Sequence, residues 1–197
     1  MTVDPSLEPS HTGISTPLPT KPCIIPHTFR IGQPSDAMAI SDLLIEVFTQ
    51  TFSHDLPPDD LDEYLKNTLS PQQIENDIRD PNSIWILTSS LEDELLGIIQ
   101  LRTNSIKECL ALTANPIELH RIYLSTRTHG KGLSQAILQH AEGLAREREY
   151  RSIWLGVYSK HPQGIRFYEK MGFKRCGERI FVVGAERQVD WVMEKSL

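Results

Sequence analysis

The residues best placed to do chemistry lie where a strand gives way to a helix through two closely spaced glycines. There Arg127-Thr128-His129-Gly130-Lys131-Gly132-Leu133-Ser134 follows the strand-like stretch 117–125. A strand, a glycine turn and a helix N-terminus present free backbone N–H groups and a positive dipole end, which hold phosphate without needing particular side chains. The turn is not a GxxxxGK[ST] nucleotide loop. Nor is it a GxGxxG dinucleotide fingerprint, because Gln stands at position 135. Taken alone, two glycines before a helix also fit an ordinary connecting loop. The three cysteines, Cys23, Cys109 and Cys176, form no CxxC pair. Neither a zinc site nor a disulfide framework is therefore expected, no metal is called for, and a reducing, cytoplasmic compartment fits.

These residues must be positioned by an α+β arrangement. The stretch 27–31 reads as a short first strand. Ser35 is a candidate N-cap for a helix carrying Ile40, Leu43, Leu44, Val47, Phe48 and Phe52 on one stripe. Leu61, Tyr64, Leu65 and Leu69 repeat the spacing in a second helix, and Ser70-Pro71 opens a third that runs to about Arg79. Strands are expected at 83–88 and 95–102 around a polar turn, then at 117–125. A helix opens from the glycine turn, with Leu133, Ile137, Leu138, Ala141, Leu144 and Ala145 on its apolar face. A buried strand at 153–158, a helix at 162–171 and an antiparallel pair at 173–183 and 188–194 around Gly184-Ala185 complete the order. The sheet should be mixed and mainly antiparallel, flanked by helices.

The chain has 197 residues, 39% hydrophobic and 23% charged, enough for one core. Residues 1–26 hold six of the thirteen prolines and seven Ser or Thr, and read as a flexible tail ahead of one domain over 27–197. No apolar stretch reaches the roughly 18 residues of a membrane helix. The net charge of -6 makes a general nucleic-acid partner a poor fit. That charge is unevenly spread. Between Asp36 and Glu94 stand fourteen acids against two cations, Lys66 and Arg79, a local charge of -12 that leaves +6 for the rest. Such asymmetry suits two ligands of opposite sign, and it also suits a solvated acidic face.

Two motifs carry a resemblance. The glycine turn resembles the pyrophosphate loop [Q/R]xxGx[G/A] of the GNAT superfamily of N-acetyltransferases. Of two registers, the one starting at His129 keeps the expected reach from Arg121-Ile122-Tyr123-Leu124, with His129 and Ser134 departing from the pattern. Gln163-Gly164-Ile165-Arg166-Phe167-Tyr168-Glu169-Lys170-Met171-Gly172-Phe173 resembles the NxxAxxFYxKxGF signature, with Gln163 for the usual Asn. Coverage runs over about 28–197. The runs 153–157 and 188–195, with the upstream 48–52, 61–65 and 70–74, look like the bacterial-type spermidine/spermine N-acetyltransferase branch.

The resemblance implies a GNAT fold whose splayed strands hold acetyl-CoA, and direct acetyl transfer to a primary amine in a ternary complex. It implies cofactor contacts from Ile122, Tyr123, Leu124, His129, Gly130, Lys131, Gly132, Leu133, Ser134 and Gln163. Backbone N–H groups around 122–124 would stabilise the oxyanion, and Tyr168 would protonate the departing thiolate. The amine, with a pKa near ~10.4, must lose a proton before it attacks. Period-two alternation sets Glu118, His120 and Ile122 on one face and Leu119, Arg121 and Tyr123 on the other. Glu118 is the first candidate base and His120 the second. A polycationic amine suits the acidic half, with Asp59, Asp60 and Glu63, and then Asp62, Glu75 and Asp77, edging the acceptor groove. Arg127, Lys131 and Arg166 suit the phosphates of CoA. A homodimer is compatible with the resemblance. The alternatives are acetylation of a protein N-terminus or lysine, and a non-catalytic acyl-CoA-binding domain.

Overall fold

Apolar periodicity lays two sets of helices against opposite faces of one sheet. The computed structural model describes residues 22–110, 113–183 and 186–197. In chain order the elements are β1 (Thr28–Ile31), α1 (Ala37–Phe52), α2 (Pro58–Thr68), α3 (Pro71–Arg79), β2 (Ser83–Ser89), β3 (Leu95–Arg102), β4 (Pro116–Leu124), α4 (Leu133–Glu147), β5 (Ser152–Tyr158), α5 (Pro162–Lys170), β6 (Lys174–Val183) and β7 (Glu186–Ser196). The seven strands pair in the order β1-β2-β3-β4-β5-β7-β6. Every pairing is antiparallel except β4 with β5. Among the described residues no helix is long and apolar enough to cross a membrane.

The element order agrees with the sequence pattern, and local details differ. Ser70 caps α3 as expected, its side chain accepting from the Gln73 N–H at 3.3 Å. Ser35 does not cap α1. It lies inside a short 3-10 turn, Pro34–Asp36, because Pro34 starts helical geometry one residue earlier. The Gly184-Ala185 turn lies outside the described residues. One face of the sheet packs Ile86, Ile99, Leu101, Leu119 and Ile153 under Ile137, Leu138 and Ala141 of α4 and Tyr168 of α5. The other packs Trp85, Leu87 and Ile98 under Ile40, Leu44 and Phe48 of α1 and Ile74 of α3.

Two irregularities of β4 make the site. In the β3–β4 ladder Gln100 faces Arg121 and Leu101 faces Leu119, so His120 is an extra residue with no partner. This bulge resets the period-two alternation, as one inserted residue must. Strict alternation would put Ile122 with Glu118 and His120. Instead Leu119, Ile122 and Leu124 share the α4 face, while Tyr123 packs with the α1–α3 core and Arg121 stacks on Trp85. The second irregularity is a short parallel ladder. β4 and β5 pair only over Pro116–Glu118 with Ser152–Trp154, and beyond that the strands diverge.

Candidate active site

Two cavities open where β4 and β5 part. The first, about 460 Å³, is lined by Leu119–Leu124 of β4, by Thr128, His129, Gly130 and Ser134 of the glycine turn, and by Gln163, Gly164, Phe167 and Tyr168 of α5. The second, about 490 Å³, is lined by Glu63, Tyr64 and Asn67 of α2, Arg179 and Phe181 of β6, and Gln188 and Asp190 of β7. They share His120, Arg121, Tyr123, Gly156 and Tyr158, so the two spaces meet at the bulge.

The first cavity is built largely from backbone. Gly130 and Gly132 adopt φ of +72° and +83°, the left-handed region that glycine enters without Cβ strain, and Gly132 is the residue from which α4 starts. A Cβ added at Gly130 would meet nothing within 4 Å, so the turn is an open cradle ahead of a 15-residue helix. Unpaired first-turn amides and the helix dipole suit an anion there. Together with the apolar strand gap behind it, this fits the phosphates and pantetheine arm of acetyl-CoA. The residues expected at the cofactor divide accordingly. Ile122, Tyr123, Leu124, His129, Gly130, Ser134 and Gln163 line the cavity, and Lys131, Gly132 and Leu133 do not. The Leu133 side chain is buried in the α4 core. Lys131 O accepts from the Ile24 N–H at 3.1 Å, and the backbone of Pro22 and Cys23 lies against Gly132. Part of the stretch expected to be tail therefore buttresses the turn, while residues 1–21 lie outside the described residues.

Tyr168 is 9% exposed, with its ring edge-on to Phe167 and Phe173. Among the described residues no group hydrogen-bonds its hydroxyl, and burial pushes its pKa above the ordinary tyrosine value. The hydroxyl thus stays protonated at neutral pH.

The second cavity is built from titratable side chains. Arg179 joins Glu118 (Nη1 to Oε1, 3.2 Å) to Asp190 (Nε to Oδ2, 3.1 Å). Its guanidinium lies flat on β5 at Gly156, where any Cβ would collide with it. Glu118 is 4% exposed and lines neither cavity. Burial would raise its pKa, but hydrogen bonds from His120 and Ser105 and the charge of Arg179 hold it down at about 2. That carboxylate is a pure acceptor, so His120 Nδ1 carries the proton and donates to Glu118 Oε1 at 3.2 Å. Nε2 is left as the lone-pair nitrogen. Burial, helped by the charges of Arg102 and Arg121, lowers the His120 pKa by more than Glu118 raises it, so the ring is neutral at pH 7. Of the two candidate bases, Glu118 is buried away from both cavities, and His120, the bulged residue, lines both.

Of the acids expected at the acceptor, only Glu63 lines the cavity. Asp59 and Asp60, in the first turn of α2, do not reach it. Asp77 instead pairs with buried Arg121 at 3.0 Å and with Arg102 at 3.8 Å. Asp36–Arg30, Asp62–Lys66, Glu75–Arg79 and Glu94–Arg127 pairs divide the acidic stretch further. The -12 is thus not one field. Arg127, expected near phosphate, is spent on Glu94. Arg121, Tyr158, Arg179 and Asp190 are cavity residues that the motifs do not announce. Asp190 is legible in retrospect as an acid within the apolar run Val189-Asp190-Trp191-Val192. It is 5% exposed, and burial raises its pKa against the opposing charge of Arg179.

Comparison with known proteins agrees with this geometry. Residues 39–173 match the Acetyltransferase (GNAT) family. An N-acetyltransferase of the pepI 3' region of Lactobacillus delbrueckii subsp. lactis is 29% identical over 152 residues, 77% of this chain and 87% of the relative. A spermidine N(1)-acetyltransferase of Thermoplasma acidophilum is 26% identical over 146 residues, 70% of this chain and 85% of the relative. Among solved structures, the PaiA N-acetyltransferase of Thermoplasma acidophilum in complex with coenzyme A superposes with a TM-score of 0.70 at 20% identity. That match covers 88% of this chain and 100% of the other.

Proposed function

The chain belongs to the GNAT acetyltransferase family and is an acetyl-CoA-dependent N-acetyltransferase; from that premise we propose that its acceptor is a polyamine, with His120 as the proton acceptor. The observation that carries the acceptor assignment is the lining of the second cavity. Phe48, Tyr64, Tyr123, Tyr158 and Phe181 offer aromatic surface, and Glu63 and Asp190 offer carboxylates. Aromatic faces suit alkyl stems and ammonium heads. The two guanidiniums in the same cavity are already matched by acids, Arg121 by Asp77 and Arg179 by Glu118 and Asp190, which removes their repulsion toward a cation. The relative from Thermoplasma acidophilum named a spermidine acetyltransferase points the same way.

In this mechanism the bound acetyl-CoA supplies a thioester carbon for attack. Backbone N–H groups at the start of α4 would hold its phosphates, and Ile122, Leu124 and Phe167 would shield the arm. The amine enters from the second cavity and loses a proton to His120 Nε2 as its nitrogen commits to attack. Glu118 is a positioning residue that fixes the His120 tautomer through Nδ1 and is itself held by Arg179 and Ser105. Tyr168 gives its hydroxyl proton to the departing sulfur.

The test is thiol release from acetyl-CoA across spermidine, spermine, monoamines, arylamines and peptides. Spermidine or spermine should show the highest kcat/KM, falling as salt screens the carboxylates. Faster turnover of peptides would overturn the acceptor assignment. Saturable acetyl-CoA binding without turnover of any amine would overturn the catalytic one.

A further inference from the structure

The fold brings together two cysteines that the sequence holds 67 positions apart. Cys109 Sγ lies 3.2 Å from Cys176 Sγ. Cys109 sits on a 3-10 turn, Glu108–Leu110, in the connection before β4. Cys176 is the extra residue of a second bulge, where Arg175 faces Met193 and Gly177 already faces Val192. A Cβ at Gly177 would stand 2.9 Å from Cys109 Sγ, so the glycine is what lets the turn approach the strand. Both cysteines are exposed, and a shallow cavity of about 520 Å³ lined by Lys107, Glu108, Cys109, Gly177 and Glu178 gives a small oxidant access.

We propose that Cys109 and Cys176 form a reversible dithiol–disulfide site, oxidised by hydrogen peroxide. In the first step the Cys109 thiolate attacks one peroxide oxygen. An S–O bond forms as the O–O bond breaks, and the leaving hydroxide takes a proton to become water. In the second, Cys176 loses its proton and attacks the sulfenic sulfur, forming the S–S bond and expelling a second water. Two thiols and one peroxide become one disulfide and two waters, with two electrons passing from sulfur to oxygen. Cys109 is the first nucleophile, because it lines the cavity that admits the oxidant and Cys176 does not. Partial burial and the neighbouring Cys109 raise the pKa of the Cys176 thiol, which suits it to the second step. Closing the contact to a bond of about 2.05 Å needs a shift on the order of 1 Å. The bond would tie together two segments that grip Glu118: Ser105 precedes Cys109 by four residues, and Arg179 follows Cys176 by three.

The experiment treats the 197-residue protein with hydrogen peroxide, counts thiols in denaturant, and maps disulfides in a non-reducing digest. The expected result is that titratable thiols fall from three to one, with a Cys109–Cys176 peptide pair that dithiothreitol restores. The oxidised protein should gain a Tm on the order of 5–10 °C from closing the long loop. Cys23→Ser should still lose two thiols, whereas Cys109→Ser and Cys176→Ser should form no intramolecular bond. Three surviving thiols, a bond that includes Cys23, a disulfide between two chains, or over-oxidation of one cysteine without a bond would each overturn the proposal. The wild-type map decides it even if a serine variant fails to fold.

Discussion

The two cavities meeting at the β4 bulge are made of different materials. The cavity behind the glycine turn uses backbone: the left-handed Gly130, a helix N-terminus and the parted edges of two strands. The cavity under α2 uses side chains drawn from β4, β6 and β7 and held by the Glu118–Arg179–Asp190 chain of charges. Backbone donors suit a ligand part that does not vary, such as a pyrophosphate, and tolerate departures like His129 and Ser134. Side-chain charges suit the part that does vary, and a single substitution there should change which amine is accepted.

Substitutions can break that division, and the largest effect should come where the cavities join. His120→Gln should lower kcat by about 10²–10⁴-fold, with acetyl-CoA affinity by calorimetry almost unchanged. Loss of affinity equal to the loss of rate would place His120 among the binding groups instead. Tyr168→Phe should cost about 10²-fold in kcat, again with little change in acetyl-CoA binding. Gly130→Ala forces an L-residue into φ of +72° at a cost of about 1–2 kcal/mol. It should raise KM for acetyl-CoA by roughly tenfold and leave KM for the amine alone. Asp190→Asn should do the reverse and more weakly. It removes one carboxylate partner of Arg179 and should raise KM for the amine by a few-fold, with acetyl-CoA unaffected. Matched rises in both KM values from either variant would erase the distinction between the two sides.

The cavity behind the glycine turn was largely legible because its determinants are contiguous. A glycine turn between strand and helix, and the run Phe167-Tyr168-Glu169-Lys170-Met171-Gly172-Phe173, can be read without knowing the fold. The cavity under α2 was not, because its partners are distant in the chain: Glu118 and Arg179 are 61 positions apart, and Asp77 and Arg121 are 44. Within β4, alternation failed where His120 slips out of the ladder. A bulge is set by pairing with β3, which no local pattern in β4 reports. The acidic stretch misled for a related reason. Charge counts along a chain, but Arg30, Arg102, Arg121 and Arg127 reach in from outside the stretch to cancel it in space.

The central claim is that His120, held by Glu118, takes the proton, and the pH dependence of kcat tests it most directly in wild type and Glu118→Gln. His120 has a pKa below its usual 6.5 because burial, with the charges of Arg102 and Arg121, outweighs Glu118, so wild-type kcat should fall only as pH drops through that lowered value. Glu118 is the largest group raising the His120 pKa. The Gln variant should therefore keep measurable turnover, with its acid limb moved to lower pH. If Glu118 were itself the base, the limb would lie near its own pKa of about 2, and Glu118→Gln would abolish turnover while His120→Gln retained it.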